Sequence, residues 1–310
     1  MADKFEFQVP AKDFKKRLDE FLFAEFPFLS RMYLRELVRD RKCEVNGEWK
    51  SRGYLLRTGD FIEIEVDRAD RPSLQPEPIP VAILFEDAEF LVADKPAGML
   101  VHPTVRIRSG TLLNALAHHL NLSPNEDADF RRAGLVHRLD KDTSGLIVIA
   151  KNARSHRILA SHFQRRLVEK RYLALVAGTI DKDAGTIDAP IGRYDEQRFW
   201  NIKPDGKKAV TNFWVRERFP DRTLLELEPV TGRTNQLRIH LAHIEHPIVG
   251  DKKYGGPEHE RLCLHAARLV LWHPNGSQRM EFESFGSFGS SGSFGRNVQQ
   301  SVRLLTGDSL

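Results

Sequence analysis

The chain has 310 residues, 41% of them hydrophobic, enough for one large or two modest cores, which excludes a mini-protein and a wholly disordered chain. Lys and Arg number 47 against 43 Asp and Glu, leaving a net charge of +4 and a sequence pI of about 9.0, so the total favours an acidic partner only mildly and the clustering matters more. A mean hydropathy of −0.42, with no bilayer-length apolar run and no apolar stretch near Met1, gives the expectation of a soluble, unexported protein without a membrane partner. Two cysteines, Cys43 and Cys263, are too few for a disulfide framework and point to free thiols in a reducing compartment, the cytoplasm.

Residues 1–14 read as an N-terminal segment ahead of a small α+β unit over 15–66. Helical patterns run from Lys15 to Phe26 and from Ser30 to Asp40, with Ser30 as N-cap behind Pro27. Asn46-Gly47 between short strand-like flanks marks a hairpin, Arg57-Thr58-Gly59-Asp60 a further turn, and Ile62, Ile64 and Val66 alternate with Glu63 and Glu65 as in a half-buried strand. Four-residue spacing stacks Arg31, Arg35 and Arg39 on one side of the second helix, opposite Leu34, Leu37 and Val38. A ladder of guanidinium groups suits phosphates. The order helix, arginine-bearing helix, NG hairpin, GD turn and alternating strand resembles the alpha-L (S4-like) RNA-binding module, which implies structured RNA as the partner.

Between residues 67 and 80, Pro72, Pro76, Pro78 and Pro80 with few apolar neighbours predict an extended linker. A larger region follows over 81–283. Strands are expected at Ala82–Phe85, Phe90–Ala93, Leu146–Ala150, Tyr172–Val176, Val210–Val215, Thr223–Leu227 and Leu269–Trp272, and helices at Thr111–Leu120, Ala153–Leu167 and Thr234–Ile244. The two kinds do not alternate strictly, so the fold class expected is α+β, a mainly antiparallel mixed sheet with packed helices. From Ser284 the chain reads SFGSFGSSGSFG, and residues 284–310 are expected to be a disordered tail.

The polar stretch His137-Arg138-Leu139-Asp140-Lys141-Asp142-Thr143-Ser144-Gly145 feeds directly into the apolar Leu146–Ala150, which puts charged groups at the rim of a core. Asp140 and Asp142 alone are too few carboxylates for an octahedral cation site. His240, His243 and His246 lack tetrahedral zinc spacing with either cysteine. Ser144 lies in T-S-G rather than in a nucleophile elbow, and no Walker A or dinucleotide fingerprint is present. A metal site is therefore not expected. A single aspartate acting as nucleophile remains, provided that a cation keeps it ionised, and Thr231-Gly232-Arg233-Thr234-Asn235-Gln236-Leu237-Arg238 offers Arg233 and Arg238 for that purpose.

HRLDKDTSGL together with TGRTNQLRIHL resembles the signature pair of the RluA-type pseudouridine synthases. Lys95-Pro96-Ala97-Gly98 through Val101-His102-Pro103, the KRYLALV segment from Lys170, and Pro247–Asp251 with Tyr254-Gly255-Gly256 also match, in the family's order from about Leu84 to Pro274. The resemblance implies an isomerase that converts uridine to pseudouridine in RNA, with Asp140 as the catalytic aspartate, attacking either pyrimidine carbon six or the ribose anomeric carbon. It further implies Arg238 as the arginine paired with Asp140, Tyr172 as the ring packed on the target uracil, and Arg138 as the residue that fills the gap left by the flipped base. Arg233 and Lys95 are expected to hold phosphates, and His137 to lie on the substrate side. No redox change or group transfer occurs in such an isomerisation, so no cofactor is expected.

Asn235 stands where the family usually has histidine, and an amide cannot titrate. The rival readings are a non-catalytic RNA clamp or ribosome-assembly factor and a metal-dependent RNA hydrolase using Asp140 and Asp142. Large-subunit ribosomal RNA is the favoured substrate, with transfer RNA the alternative, and nothing in the sequence demands more than a monomer.

Overall fold

The structure, a computed structural model, describes residues 2–26, 29, 31–67, 74–104, 107–122, 134–194, 199–276, 278–285 and 301–305. The chain divides into two compact units, one of residues 1–74 with 104–108, the other of 75–103 with 109–310.

In the smaller unit, β1 (Ala2–Gln8), α1 (Leu18–Glu25), α2 (Arg31–Arg39), β2 (Cys43–Val45), β3 (Glu48–Trp49) and β4 (Phe61–Asp67) build an antiparallel sheet in the order β1-β4-β2-β3. Its core joins Leu18, Leu22 and Leu34 from the helices to Cys43, Ile62 and Ile64 from the sheet. The NG turn forms with both residues at positive φ, as a tight hairpin turn requires, and the Asn46 side chain bonds Asp60 and the Phe61 backbone N–H. Two expectations change here. Residues 1–14 are not a separate segment, because β1 pairs with β4 along its whole length and sends Phe5 and Phe7 towards the core. The first helix starts at Leu18 rather than Lys15, since Lys15 has φ 61° and residues 15–18 bond in an extended manner to Tyr54 and Leu56. The proposed N-cap Ser30 and its neighbour Pro27 lie outside the described residues.

The larger unit is built on a ten-stranded sheet with β5 (Ala82–Glu86), β6 (Phe90–Lys95), β7 (Ser144–Ala150), β8 (Glu169–Ala177), β9 (Ala184–Asp188), β12 (Val210–Arg218), β13 (Arg222–Pro229), β14 (Leu264–Trp272), β15 (Arg279–Glu283) and β16 (Ser301–Leu305). A separate hairpin pairs β10 (Ile191–Tyr194) with β11 (Phe199–Ile202). The helices are α3 (Leu112–His119), α4 (Ala153–Gln164) and α5 (Gln236–His243). The order along the sheet is β5-β6-β7-β14-β8-β13-β12-β9, with β15 and β16 continuing from β14, and among the described residues only the short β7–β14 contact is parallel. The fold is thus α+β and mainly antiparallel.

All seven residues of β7 are buried, as befits a strand in the middle of a sheet whose last five residues, Leu146–Ala150, are an uninterrupted apolar run. Asn152 caps α4 by accepting from the Ser155 N–H, and the helix lays Leu159 and Phe163 on the core that includes β7. Gly145 opens β7 at φ 111°, and a Cβ there would stand 2.4 Å from the Ala266 carbonyl oxygen, so only glycine lets the polar stretch before it enter the sheet beside β14.

The linker and the tail need correction. Of the linker, Pro72 lies outside the described residues, and Gln75–Pro80 is irregular but not a free tether. The Asn114 amide donates to the Gln75 carbonyl at 2.8 Å, Glu77 N–H bonds the Asn114 carbonyl, and the Glu77 carboxylate accepts from Gly110 N–H, so this stretch is fastened at the start of α3 within the larger unit. The Ser/Gly/Phe-rich tail is ordered at both described ends. Ser284 is buried with its hydroxyl on Asp94, and β16 pairs in register with β15 from Ser301 to Leu305. Residues 286–300 and 306–310 lie outside the described residues.

Candidate active site

Three stretches far apart in sequence converge on one cavity of about 350 Å³: the approach to β7, the start of β8 and the β13–α5 loop with the first turn of α5. Its lining includes His137, Arg138, Asp140, Tyr172, Arg233 and Arg238. A volume in the range of about 300–1,000 Å³ is that of small-ligand pockets. Asp140 sits in a turn closed by Thr143 N–H on its own carbonyl, directly before the buried strand, so its backbone is fixed while its side chain faces the cavity lining.

Burial pushes the Asp140 carboxyl above the ordinary carboxylate range, against the pull of Arg238, Arg138, Lys253 and Lys95. Among the described residues nothing donates a hydrogen bond to that carboxylate. It is therefore an under-solvated carboxylate with cations around it and few contacts to shed. Tyr172, opposite Leu227 on β13, is half-buried, and burial together with the nearby Asp140 charge raises its hydroxyl well beyond its usual range. At neutral pH it is a protonated donor and an aromatic face rather than a base.

Arg238 differs from expectation. Its guanidinium does not ion-pair with Asp140 but forks onto Asp251, with Nε and Nη2 each donating at 2.7 Å to the two carboxylate oxygens. Asp251 is fully buried and accepts further bonds from Lys253 and Tyr254 N–H. Burial disfavours the Arg238 charge, but Asp251 and Asp140 more than restore it, so the guanidinium remains cationic and acts on Asp140 through space. Gly250 makes this arrangement possible, since a Cβ at its φ of 82° would lie 1.9 Å from the Arg261 carbonyl oxygen.

Lys95 also differs. It is completely buried, and its Nζ donates to the carbonyls of Pro96, Met99 and Lys141 at 2.8, 2.8 and 2.9 Å. Burial lowers its pKa to about 8. A lysine spent on three carbonyls cannot reach a phosphate; it ties the turn beside Asp140 to the KPAG segment. His137 lines the cavity, stacked on Phe163 at 4.4 Å, with Nε2 accepting from Val148 N–H, and burial pushes it down to about 3, so the ring is neutral and serves the turn. Arg138 and Arg233 are exposed at the cavity, the latter with Nε on the Lys208 carbonyl. Arg35 and Arg39 stand on α2 of the smaller unit, where Arg35 shares the buried Asp19 with Arg17 and Arg39 pairs with Asp40; the side chain of Arg31 lies outside the described residues.

Asn235 is left-handed, at φ 53°, and its amide donates to the Tyr254 hydroxyl, which in turn donates to the Trp200 carbonyl. Gln236 pins the preceding turn by accepting from Thr231 Oγ1 and Arg233 N–H while its amide donates to Val210 O and Thr211 Oγ1. Sequence reasoning missed the role of Asp251, whose signal was the Gly-Asp pair inside PIVGD, and of Lys170, a half-buried amine on the cavity wall two residues before Tyr172. His240 bonds Thr211 Oγ1 and Ala189 O, and His246 bonds Ala177 O, so each is occupied in the packing. Among the described residues no cluster of three or more His, Cys, Asp or Glu could hold a metal ion.

The profile of the family described as RNA pseudouridylate synthase matches residues 89–243, which span the cavity walls from β6 to α5. An uncharacterized RNA pseudouridine synthase of Aquifex aeolicus is 39% identical over 91% of this chain and 93% of its own length. The ribosomal large subunit pseudouridine synthase D of Pseudomonas aeruginosa is 39% identical over 89% and 90%, and that of Escherichia coli K12 37% identical over 87% and 86%. Among solved structures, human RNA pseudouridylate synthase domain containing 1 superposes with a TM-score of 0.52 at 29% identity, covering 62% of this chain and 78% of that one. The cavity, with its half-buried aspartate, aromatic wall and arginines, thus belongs to a member of the RNA pseudouridylate synthase family, an isomerase of the RluA type acting on RNA.

Proposed function

We propose that this enzyme isomerises uridine in large-subunit ribosomal RNA by nucleophilic attack of Asp140 on a nucleotide flipped into the 350 Å³ cavity. The observation that carries the reading is the Asp140 carboxylate itself: half-buried, without a hydrogen-bond donor among the described residues, and in the field of Arg238 and Arg138. Attack at pyrimidine carbon six or at the ribose anomeric carbon ends in cleavage of the bond from uracil N1 to the anomeric carbon. The base turns and carbon five bonds to the anomeric carbon. The proton on carbon five then leaves, Asp140 is released, and the product is an isomer of the starting nucleotide.

Arg238, held by Asp251, stabilises the carboxylate before attack and after release. Tyr172 offers a flat apolar face on which a uracil can lie, and its hydroxyl donates. Exposed Arg138 fills the place of the flipped base, and Arg233 receives a phosphate. The smaller unit, with the basic helix α2 against a hairpin sheet, serves as an alpha-L RNA-binding domain. The relatives named for the large ribosomal subunit support that substrate in preference to transfer RNA.

The test is tritium release from ribosomal RNA transcripts labelled at uridine carbon five. The wild-type protein should release label from large-subunit transcripts and the Asp140→Asn protein should not, while still binding the RNA. Release by Asp140→Asn at the wild-type rate would overturn the assignment.

A further inference from the structure

Helix α4 presents two different surfaces. Phe163 turns into the active-site cavity and stacks on His137, whereas Arg154, Arg157, Ile158, Ser161, His162 and Arg165 line a groove of about 390 Å³ on another side of the helix. These six positions follow three- and four-residue steps, so they form one stripe along the helix. The stripe is strongly positive and poorly compensated. Arg154 approaches Glu89 at 3.7 Å, while among the described residues the side chains of Arg157 and Arg165 have no acidic or hydrogen-bonding partner. Like charges along one helix face repel and are usually interleaved with acids on a merely solvated surface. Here none of the lining residues is acidic.

The floor of the groove is unusual as well. His162 is 8% exposed, and its Nδ1 is buried without a hydrogen-bond partner among the described residues. An unsatisfied buried polar atom is costly in a folded protein. Burial, aided by Arg165, lowers the histidine's pKa, so the ring is neutral and the positive charge of the groove comes from the arginines alone. The spacing also has a use: three guanidinium groups over three turns of helix are spread like successive phosphates rather than gathered on one small anion.

We infer that this groove is a second RNA-binding site, in which Arg154, Arg157 and Arg165 hold the phosphodiester backbone of the substrate RNA beyond the nucleotide being isomerised. The inference rests on the proposed function, because α4 joins the groove to the cavity that receives the uridine. The site contributes affinity and register, not chemistry, since none of its residues lines the cavity of Asp140.

The experiment compares the wild-type protein with an Arg154→Gln, Arg157→Gln, Arg165→Gln triple variant and the corresponding triple lysine variant. Binding to large-subunit ribosomal RNA fragments is measured between about 50 and 200 mM salt, where each lost phosphate contact reduces the slope of log K on log salt by about 0.7–0.9. The glutamine variant should lower that slope by about 2–3, bind at least tenfold more weakly at the lower salt, and raise KM with kcat unchanged. The lysine variant should restore most of the slope. A photo-crosslinker placed at Ser161→Cys should capture RNA. An unchanged slope and KM in a folded glutamine variant, or crosslinks only to protein or to anionic vesicles, would overturn the site. Loss of the slope in protein whose wild-type form releases no tritium from any RNA would overturn the proposed function while leaving the groove as an RNA site.

Discussion

Asp251→Asn removes the charge that holds Arg238 while changing the side chain's shape hardly at all. The Arg238–Asp251 pair is doubly hydrogen bonded at 2.7 Å with side-chain exposures of 10% and 0%, so water cannot replace the lost partner. Taking one member from a buried pair costs about 3–5 kcal/mol, and the amide, keeping one good acceptor, belongs at the lower end. For domains of about 150–250 residues each kcal/mol shifts Tm by about 2–4 °C, so a fall of roughly 6–12 °C is expected at the low end. Arg238 would also lose its fixed place in the cavity wall that it shares with Asp140, and misplacement of a stabilising group by about 1 Å costs on the order of 100-fold in rate. Thermal unfolding by circular dichroism gives the first number and single-turnover tritium release at saturating RNA the second. A Tm within about 2 °C of wild type, with kcat unchanged, would refute the view that Asp251 positions Arg238 for catalysis.

Asp140→Asn should abolish turnover and leave RNA affinity within about threefold. Because burial raises the folded-state pKa of Asp140 above its unfolded value, its protonated form favours folding below the unfolded pKa and that advantage is lost as pH rises through the folded pKa; at pH 7 the asparagine variant should therefore unfold at an equal or higher temperature, and a clear fall in Tm would contradict this. Gly145→Ala should destabilise by about 1–3 kcal/mol for its positive φ and a similar amount for the clash with Ala266, so a wild-type denaturation midpoint would refute the close approach of β7 to β14. Lys95→Met strands three carbonyl acceptors and should lower Tm and kcat with no change in the salt slope of RNA binding; a changed slope with unaltered stability would instead make Lys95 a phosphate ligand.

The sequence was most informative where one element's pattern sufficed. The apolar run of β7, the stripe of α4 and the Asn46-Gly47 hairpin were legible because each depends on neighbours a few residues away. Strand β1 carries the same kind of signal, with Phe5, Phe7 and Val9 alternating with polar residues, but its partner β4 lies more than fifty residues away, so the local pattern alone does not join it to the small unit. Strand β16 had almost none, being five residues after a long Ser/Gly/Phe stretch whose pairing depends wholly on β15. In the site, motif order brought Asp140, Tyr172 and Arg238 to attention together, and they do share a cavity. The partner of Arg238 was not legible, since the choice between Asp140 and Asp251 is decided by the turn that Gly250 permits. Nor was the burial of Lys95, because a fully buried lysine is rare and its three carbonyl acceptors leave no mark in the sequence.

The proposal that Asp140 makes pseudouridine in large-subunit ribosomal RNA has a direct consequence in cells. It is tested most directly by carbodiimide modification and primer extension on ribosomal and transfer RNA from cells lacking the protein, cells carrying it, and cells carrying Asp140→Asn. Stops at particular large-subunit uridines should vanish without the protein, return with the wild type and stay absent with the variant. Stops restored equally by Asp140→Asn would contradict it, and stops that change only in transfer RNA would contradict the substrate assignment.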